Sequence, residues 1–221
     1  MILEPILPTV LSVRHIPAAH PALLRAYGAD PERHVSLGLV TCDQDDPTYV
    51  ALDEATKHAA VDVVFARSFY AGAAHASGPL SGEILGVLAG PDPDEVGEGL
   101  AAMLRCLEHD ACFYAADEAG EIAVFPHVIT SLGHYLSRAA GLAPGTSMAY
   151  LVAPPMEFTL ALDAAMKSAA VEPARIDPPP SETNFASAFL SGAQPDCEAA
   201  AVAFAAAVVD VARRPVRPTA Y

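Results

Sequence analysis

Small and aliphatic residues recur at helical spacing in two similar stretches, ALDEATKHAAVDV (51–63) and ALDAAMKSAAVEP (161–173). The first stretch carries its apolar stripe at four positions: Leu52, Ala55, Ala59 and Val63. A stripe of this period predicts a helix, and its small side chains predict a helix that lies close against a sheet. The two stretches are 110 residues apart, half the length of the chain, and share eight of thirteen residues. The chain is therefore predicted to contain two copies of one fold.

The repeat also places an acid and a lysine at matching positions in the two stretches. Asp53 precedes Lys57 by four residues, and Asp163 precedes Lys167 by four. Pairs of this kind stabilise a helix by roughly 0.2–0.5 kcal/mol. Two alanine-rich helices that were similar only in composition would not be expected to share these charged positions, so we interpret the repeat as a duplication.

Apolar alternation and turn-forming residues predict the order β-α-β-α-β-β-α in each half. In the first half, strands are expected at 9–15, 34–41, from 61 onwards and at 83–90, with helices at 20–28, 51–63 and 92–109. In the second half, strands are expected at 124–130 and 147–155, helices at 131–141 and 161–173, and a different loop and strand at 178–192. Asp and Pro predict a turn at 42–50. The expected fold class is an α/β (α+β) sandwich, with its two copies at residues 1–112 and 113–221.

The composition narrows the classes of partner. With 52% hydrophobic and 18% charged residues, the chain can bury a core in each half and is poor in charge for its size. Such a surface favours association with other chains. The net charge of −15 disfavours nucleic acid and anionic membranes and favours small cations. No uncharged apolar run reaches the length of a membrane span.

Cysteine usage and the start of the chain predict a cytoplasmic protein. The four cysteines, Cys42, Cys106, Cys112 and Cys197, lie at irregular spacings. The opening residues MILEPILPTV contain neither a positive region nor a small-residue cleavage site. Reduced thiols in the cytoplasm are the expectation.

The residue types that perform catalysis form no recognisable pattern. The eight histidines match neither a nucleophile elbow nor a zinc-protease motif. Cys106, His109 and Cys112 have a spacing that zinc sites use, but a fourth ligand is not apparent. We interpret CLEHDAC (106–112) as a buried thiol pair with a surface histidine. No enzyme activity, no cofactor and no metal are expected.

Two long stretches resemble a known family: SLGLVTCDQDDPTYVALDEATKHAAVDV (36–63) and GEILGVLAGPDPDEVGEGLAAML (82–104). They are similar to the shell domain of bacterial microcompartments (BMC domain), in which a Gly-Leu strand leads to a helix with Asp-x-x-x-Lys-x-Ala. RSFYAGAAH, AYLVAPP and PPPSETNFASAFLSG resemble the tandem shell proteins of ethanolamine-utilisation compartments. The resemblance covers nearly the whole chain and departs mainly in the first dozen residues and within 103–125.

This resemblance implies an architecture and an assembly. The chain would contain two tandem, circularly permuted BMC domains, each a ferredoxin-like sheet with flanking helices. Three chains would form a homotrimer that mimics a six-domain hexagonal tile. Tiles of this kind, with other shell proteins, form the wall of a compartment in the cytoplasm, and a gated pore at the trimer axis passes metabolites or cofactors.

The resemblance also implies a site for the small cationic alcohol ethanolamine at a minor pore between the two domains of one subunit. The matching positions are Asp45, Asp46 and Glu83, with Phe113 as a wall. Carboxylates suit this ligand because they accept charge-assisted hydrogen bonds from an ammonium group. A solvated turn for the two aspartates and an edge acid for Glu83 are the alternative interpretations.

Two unequal loops, Arg67–Leu80 and Pro178–Phe185, occupy equivalent places in the two halves and are the candidates for the central pore. The pore residues predicted there are Ser68, Tyr70, His75, Ser181, Asn184 and Phe185. Ordinary surface loops are the alternative. Lys57 and Lys167 are expected at the tile edges, where shell domains of the family use a lysine of this motif.

Two other functions stay open at this stage. One is a shell trimer of another compartment, such as one that handles propanediol. The other, from a different class, is a freestanding α/β regulator that binds a small molecule. Particle shape separates the classes, because shell trimers form flat discs and sheets whereas a regulator stays globular.

Overall fold

Ten strands and six helices make up the part of the chain that the structure, a computed structural model, describes: residues 4–69, 78–179 and 184–214. The strands are β1 (Glu4–Ile6), β2 (Val10–Ile16), β3 (Ser36–Cys42), β4 (Asp62–Ser68), β5 (Ile84–Gly90), β6 (Phe113–Ala115), β7 (Ala123–Ile129), β8 (Met148–Ala153), β9 (Val171–Asp177) and β10 (Ala186–Gly192). The helices are α1 (Pro21–Ala26), α2 (Asp45–His58), α3 (Pro93–His109), α4 (His134–Ala140), α5 (Pro155–Ser168) and α6 (Gln194–Arg213).

The element order and the strand order both repeat. Strand, helix, strand, helix, strand, strand, helix runs from β2 to α3 and again from β7 to α6. One sheet has the order β2-β3-β5-β4, and the other contains β7-β8-β10-β9 with β6 and β1 added beside β7. All neighbouring strands are antiparallel. The predicted order, the duplication and the mixed α/β class are confirmed.

The chain divides into two compact units that are not continuous in sequence. The N-terminal unit consists of Leu7–Cys112 and Leu132–Gly145. The C-terminal unit consists of Met1–Ile6, Phe113–Ser131 and Thr146–Tyr221. Two segments therefore belong to the unit of the other sequence half: β1 at the start of the chain, and α4 with its flanking residues.

Glycines on the sheet of the N-terminal unit let its helices approach closely. A Cβ atom added to Gly38 would lie 2.9 Å from side-chain atoms of Leu100 and Val96 on α3. One added to Gly86 would lie 3.0 Å from Leu52 on α2. The close packing expected from the small residues of the helix therefore also requires small residues on the sheet.

Phenylalanine and alanine fill the space between the sheet and the helices of the C-terminal unit. Phe158 of α5 and Phe204 of α6 are buried and meet edge to face, with ring centroids 5.9 Å apart. Small residues of β8 and β10 share this core, among them Ala149, Ala186 and Ala188. The combination of large and small side chains gives the interdigitation that a dense core requires.

Both repeat helices begin earlier than the sequence pattern predicts. α2 starts at Asp45, and α5 starts at Pro155. The turn predicted at 42–50 is therefore wrong for most of its length. Acids in a first helical turn are favoured by the positive end of the helix dipole, and proline fits the first turn because its missing N–H is not needed there.

The helix ends and two short strands also differ from the expectation. Ala59 and Val63 were predicted on the apolar stripe, but α2 ends at His58 and Val63 lies in β4. A run of valines favours a strand over a helix. β1 and β6 were not predicted because strands of three residues carry no readable alternation.

Asp53 joins two helices of the N-terminal unit instead of acting only as a surface partner of Lys57. The carboxylate of Asp53 is buried and accepts hydrogen bonds from the backbone N–H groups of Gly133 (2.7 Å) and Leu136 (2.8 Å), in the first turn of α4. The hydroxyl of Thr56 accepts a third, from His134 N–H (2.9 Å). We call this set of three bonds the α4 clamp. It satisfies N–H groups that the start of a helix leaves without partners, because Gly133 supplies no side chain to cap them.

The matching aspartate of the second copy behaves as the sequence predicts. Asp163 is exposed, and one of its carboxylate oxygens lies 2.6 Å from the Lys167 ammonium. The ion pair of Lys57, by contrast, is with Glu54, three residues earlier. The same sequence position therefore holds a buried clamp in one copy and an exposed ion pair in the other.

We predict that Asp53→Ala lowers the free energy of unfolding by about 2 kcal/mol, because two buried N–H groups lose their acceptor. Urea titration followed by circular dichroism measures the loss. Asp163→Ala is the matched control and should change stability by less than about 0.5 kcal/mol, since its ion pair is exposed. Equal effects of the two substitutions would contradict the clamp.

The pH dependence of the Asp53→Ala effect should have a defined sign. Burial raises the pKa of Asp53 above its usual range, although the N–H groups of Leu136 and Gly133 and the charge of Lys57 act to lower it. A raised carboxyl pKa means that the folded chain holds a proton which the unfolded chain has released. The wild type should therefore lose stability relative to the variant as the pH rises through the window between these two pKa values. A gain across that window would contradict the assignment.

Candidate functional site

The acids predicted to bind a cation lie at one end of the sheet of the N-terminal unit. Asp45 and Asp46 form the first turn of α2, which is separated from β3 by two residues, and both are buried. Asp46 N–H donates to the Asp45 carboxylate at 2.9 Å. They are thus parts of a helix start rather than of a solvated loop. The positive end of the helix dipole favours their negative charge at this position.

Glu83 lies at the same end of this sheet, directly before β5. Cys42 pairs with Ile84 across β3 and β5, which brings Glu83 next to the chain that leads into α2. Glu83 N–H donates to the Cys42 carbonyl, and the Glu83 carbonyl accepts from Phe69 N–H, both at 2.8 Å. The backbone of Glu83 is therefore fixed between two strands, whereas Glu83 as a whole is exposed to solvent.

Gly82 makes this position of Glu83 possible. Its φ of +63° is in the left-handed region that favours glycine. A Cβ atom at Gly82 would lie 2.1 Å from the Cys42 carbonyl oxygen. Glycine is therefore required where the chain returns from the predicted pore loop to the candidate acid.

Phe113, the predicted wall of the site, begins β6 in the C-terminal unit, whereas the three acids belong to the N-terminal unit. Its ring is buried against Phe125, with centroids 5.0 Å apart, and meets Phe185 edge to face at 6.2 Å. The structure thus brings Phe113 together with one of the predicted pore residues.

Phe113 is part of an aromatic cluster that the sequence reasoning missed. Phe125 meets Tyr150 at 5.4 Å, and Tyr150 meets Phe189 at 4.7 Å, both edge to face. His127 stacks on Phe125 at 5.3 Å. Alternate positions of a strand face the same side, so the pair at 125 and 127 was a readable signal. The pairing of β7, β8 and β10, which joins the other rings to that pair, was not readable.

Three of the six predicted pore residues lie in the part of the chain that the structure describes. Ser68 ends β4, and its N–H donates to the hydroxyl of Tyr49 at 3.2 Å. Asn184 has a positive φ of 66°, a conformation that asparagine tolerates better than most residues. Phe185 is half-buried against Phe113. The others lie outside the described residues: Tyr70, His75 and Ser181.

The two predicted edge lysines occupy equivalent places in the last turns of α2 and α5. They are the only lysines in the sequence. Lys57 pairs with Glu54, and Lys167 pairs with Asp163. Both ion pairs lie within one helix, so the ammonium groups are held close to their own helix surface in the single chain.

The CLEHDAC segment matches its predicted structure. The thiols of Cys106 and Cys112 are buried and form no disulfide, and the His109 side chain is 64% exposed. Burial, together with the nearby charges of Glu54 and Asp110, raises the pKa of Cys106 to about 12. Such a thiol stays protonated near neutral pH.

Across residues 4–69, 78–179 and 184–214, no three His, Cys, Asp or Glu side chains are grouped in a way that would hold a metal ion. In the same residues, no helix combines the length and the apolar character needed to cross a membrane.

Comparison with known proteins gives matches over nearly the whole length of the chain. A profile of the BMC domain family matches residues 36–119. The bacterial microcompartment shell protein EutL of Salmonella typhimurium is 50% identical over 216 residues, which cover 97% of this chain and 98% of that protein. The EutL crystal structure from Clostridium perfringens is 50% identical, with a TM-score of 0.92 over 98% of each chain. The crystal structure of the ethanolamine utilization protein EutL from Leptotrichia buccalis is 47% identical, with a TM-score of 0.92 over 99% of this chain and 100% of that one.

We predict that Cys106 is almost inert in the native protein. A thiol with a pKa of about 12 is ionised roughly a thousandfold less at pH 8 than an ordinary cysteine, and the thiolate is the reactive form. Peptide mapping after iodoacetamide treatment measures the modification. The same protein unfolded in guanidinium at pH 8 is the control, and modification of Cys106 at similar rates in both states would contradict its burial.

Proposed function

The chain belongs to the EutL family of bacterial microcompartment shell proteins, and from this membership we propose that three copies form one pseudo-hexagonal tile of the shell. Two units of the same strand order in each chain supply six in a trimer, and a cyclic arrangement of identical chains closes such a ring. The duplication is the observation that carries this proposal. The tile is a structural element and a passage for metabolites, with no catalytic activity of its own.

We propose ethanolamine utilisation as the process that this shell serves. The support is 47% identity over nearly the whole length of the Leptotrichia buccalis protein, whose name states ethanolamine utilization. A propanediol-type compartment is the second candidate. Growth of the source cell separates the two, because deletion of this gene should alter growth on ethanolamine and leave growth on propanediol unchanged.

The central pore is proposed at the loops Arg67–Leu80 and Pro178–Phe185. Sequence carries this assignment, since the loops occupy equivalent places in two copies yet differ in length. The described flanks are compatible with it: β4 ends at Ser68, and Asn184 and Phe185 lead directly into β10. An assembly structure with either loop at the outer rim of the tile would refute it.

We propose that the ammonium of ethanolamine binds near Asp45, Asp46 and Glu83, with Phe113 as a wall. The support is that the three acids share one end of one sheet, in a chain with a net charge of −15. Four heavy atoms at about 1.5 kcal/mol each allow roughly 6 kcal/mol, a dissociation constant no tighter than tens of micromolar. Weak binding of this kind suits a sensor of substrate.

Binding at this site would influence the pore only if ethanolamine favoured one pore state over the other. Glu83 follows the first pore loop by a few residues, and its carbonyl is bonded to Phe69 at the start of that loop. We propose that the bound ligand biases the pore toward its closed state through this connection.

For this site, we predict that Glu83→Gln weakens ethanolamine binding by at least about fivefold, because an amide cannot neutralise the ammonium. Isothermal calorimetry measures the change. Glu98→Gln, an exposed acid on α3 of the same unit, is the control and should bind like the wild type. Equal heats from wild type and Glu83→Gln, or none from either up to about 10 mM, would remove this site.

We further propose that Lys57 and Lys167 join neighbouring tiles. A lysine can lay its aliphatic stem along a neighbouring surface and donate to backbone carbonyls there. The recurrence of the two lysines at one position of both copies, and nowhere else in the chain, supports a shared role at equivalent edges.

For the edges, we predict that replacing both lysines with Asp abolishes two-dimensional sheets and leaves single tiles intact. The carboxylates of the variant would repel the backbone carbonyls of the neighbouring tile, to which the lysine ammonium groups donate hydrogen bonds. Negative-stain electron microscopy measures sheet formation, and size-exclusion chromatography with light scattering measures the single tile. Arg105→Asp, which reverses an exposed charge on α3, is the control and should still form sheets. Sheets from the double-lysine variant would count against the edge role.

A further inference from the structure

The start of α2 carries a tyrosine next to the two candidate acids. Tyr49 follows Asp45 by four residues and Asp46 by three, within the same helix. Side chains at these spacings are neighbours on the surface of a helix. A movement of this part of α2 therefore displaces the Tyr49 ring and the two carboxylates together.

The Tyr49 hydroxyl is bonded to the end of an edge strand. Ser68 N–H donates to it at 3.2 Å, and Ser68 is the last residue of β4, which lies at the edge of its sheet. Phe69 N–H donates to the carbonyl of Glu83, next to β5, so the N–H of Ser68 points away from β5. An edge strand offers such a group no partner strand, and the tyrosine hydroxyl supplies the acceptor.

The same strand end also holds the third candidate acid. Ser68 is paired with Ile84 across β4 and β5, and Phe69 N–H donates to the Glu83 carbonyl at 2.8 Å. The connection from the Tyr49 hydroxyl to the backbone of Glu83 thus consists of two consecutive residues of one strand. Tyr49 links the helix start that carries the aspartates to the strand end that carries the glutamate.

A second link between these parts runs on the other side of β5, through β3. Glu83 N–H donates to the carbonyl of Cys42 at 2.8 Å, and two residues join Cys42 to the start of α2. This backbone link limits the distance between Glu83 and the helix start, but one connection does not fix the direction of the helix. The Tyr49 bond is made to β4, on the opposite side of β5, and therefore supplies the orientation.

The Tyr49 ring has a support that does not depend on its hydroxyl. The ring lies 6.4 Å from that of Tyr135, at an interplanar angle of 34°. Tyr135 belongs to α4, which the α4 clamp holds on α2. A phenylalanine at position 49 would keep this ring contact and would lose only the bond to Ser68.

We infer that Tyr49 is a positioning residue of the candidate ethanolamine site, and that its hydroxyl aligns Asp45 and Asp46 with Glu83 so that all three serve one ammonium group. This inference rests on the proposed site and adds a residue that acts through the acids instead of through contact with the ligand. An ammonium group has three N–H donors in fixed directions, so acceptors that are already aligned bind it at a lower cost in order.

Tyr49→Phe tests the role of the hydroxyl, with ethanolamine binding measured by isothermal calorimetry. The variant should bind about fivefold more weakly than the wild type, because the helix start is no longer tied to the strand end at Glu83. Tyr27→Phe, which removes a tyrosine hydroxyl next to α1 of the same unit, is the matched control and should bind like the wild type. Thermal unfolding by circular dichroism shows whether each variant folds.

A double-mutant cycle with Glu83→Gln separates positioning from general support of the fold. Without the Glu83 carboxylate, the remaining acids lie on one helical turn and have no second element to be aligned with. Tyr49→Phe should therefore change the dissociation constant of Glu83→Gln by less than about 1.5-fold, at ethanolamine concentrations that saturate both variants. A residue that only stabilised the unit would weaken binding by the same factor in both backgrounds.

The possible results distinguish this inference from the site on which it rests. Equal affinities of the wild type and Tyr49→Phe, with or without a change in thermal stability, would overturn the positioning role and leave the site standing. The same loss of affinity in both backgrounds of the cycle would also overturn it. A wild type that binds no ethanolamine up to about 10 mM would remove the site and the role of Tyr49 together.

Discussion

The buried carboxylate of Asp53 joins the start of α4 to α2, and through these hydrogen bonds a helix from the second sequence half is held in the N-terminal unit. A helix from the second half becomes part of the N-terminal unit, while β1 from the start of the chain becomes part of the C-terminal unit. Gly133 is needed for this approach, because a Cβ atom there would lie 2.4 Å from the Thr56 hydroxyl. Each unit therefore contains a segment from the other half of the sequence.

The sequence predicted the repeated element order because apolar period and turn residues report local structure directly. It did not predict that Asp53 and Asp163 have different environments, since the difference lies in what packs on each helix and not in the helices themselves. The early start of α2 at Asp45 was missed for a related reason. Asp and Pro favour turns and first helical turns alike, and only tertiary packing chooses between them.

The candidate site was also predicted only in part from the sequence. Family resemblance supplied Asp45, Asp46 and Glu83, and the pairing of Cys42 with Ile84 brings these acids to one end of a sheet. Apart from the pair at 125 and 127, the aromatic cluster around Phe125 could not be predicted from the sequence, because strand order decides which rings meet. Lys57 and Lys167 were recognised as candidates because they occupy the same position in both copies of the repeat.

The central claim is that one chain supplies two shell units and that three chains close the tile. Native mass spectrometry of the purified full-length chain tests this most directly, because it counts subunits without reference to shape. The account predicts a dominant species of about 69 kDa, three chains of 22.9 kDa each, at micromolar concentration. A dominant monomer, or a ring of six chains at about twice the trimer mass, would contradict it.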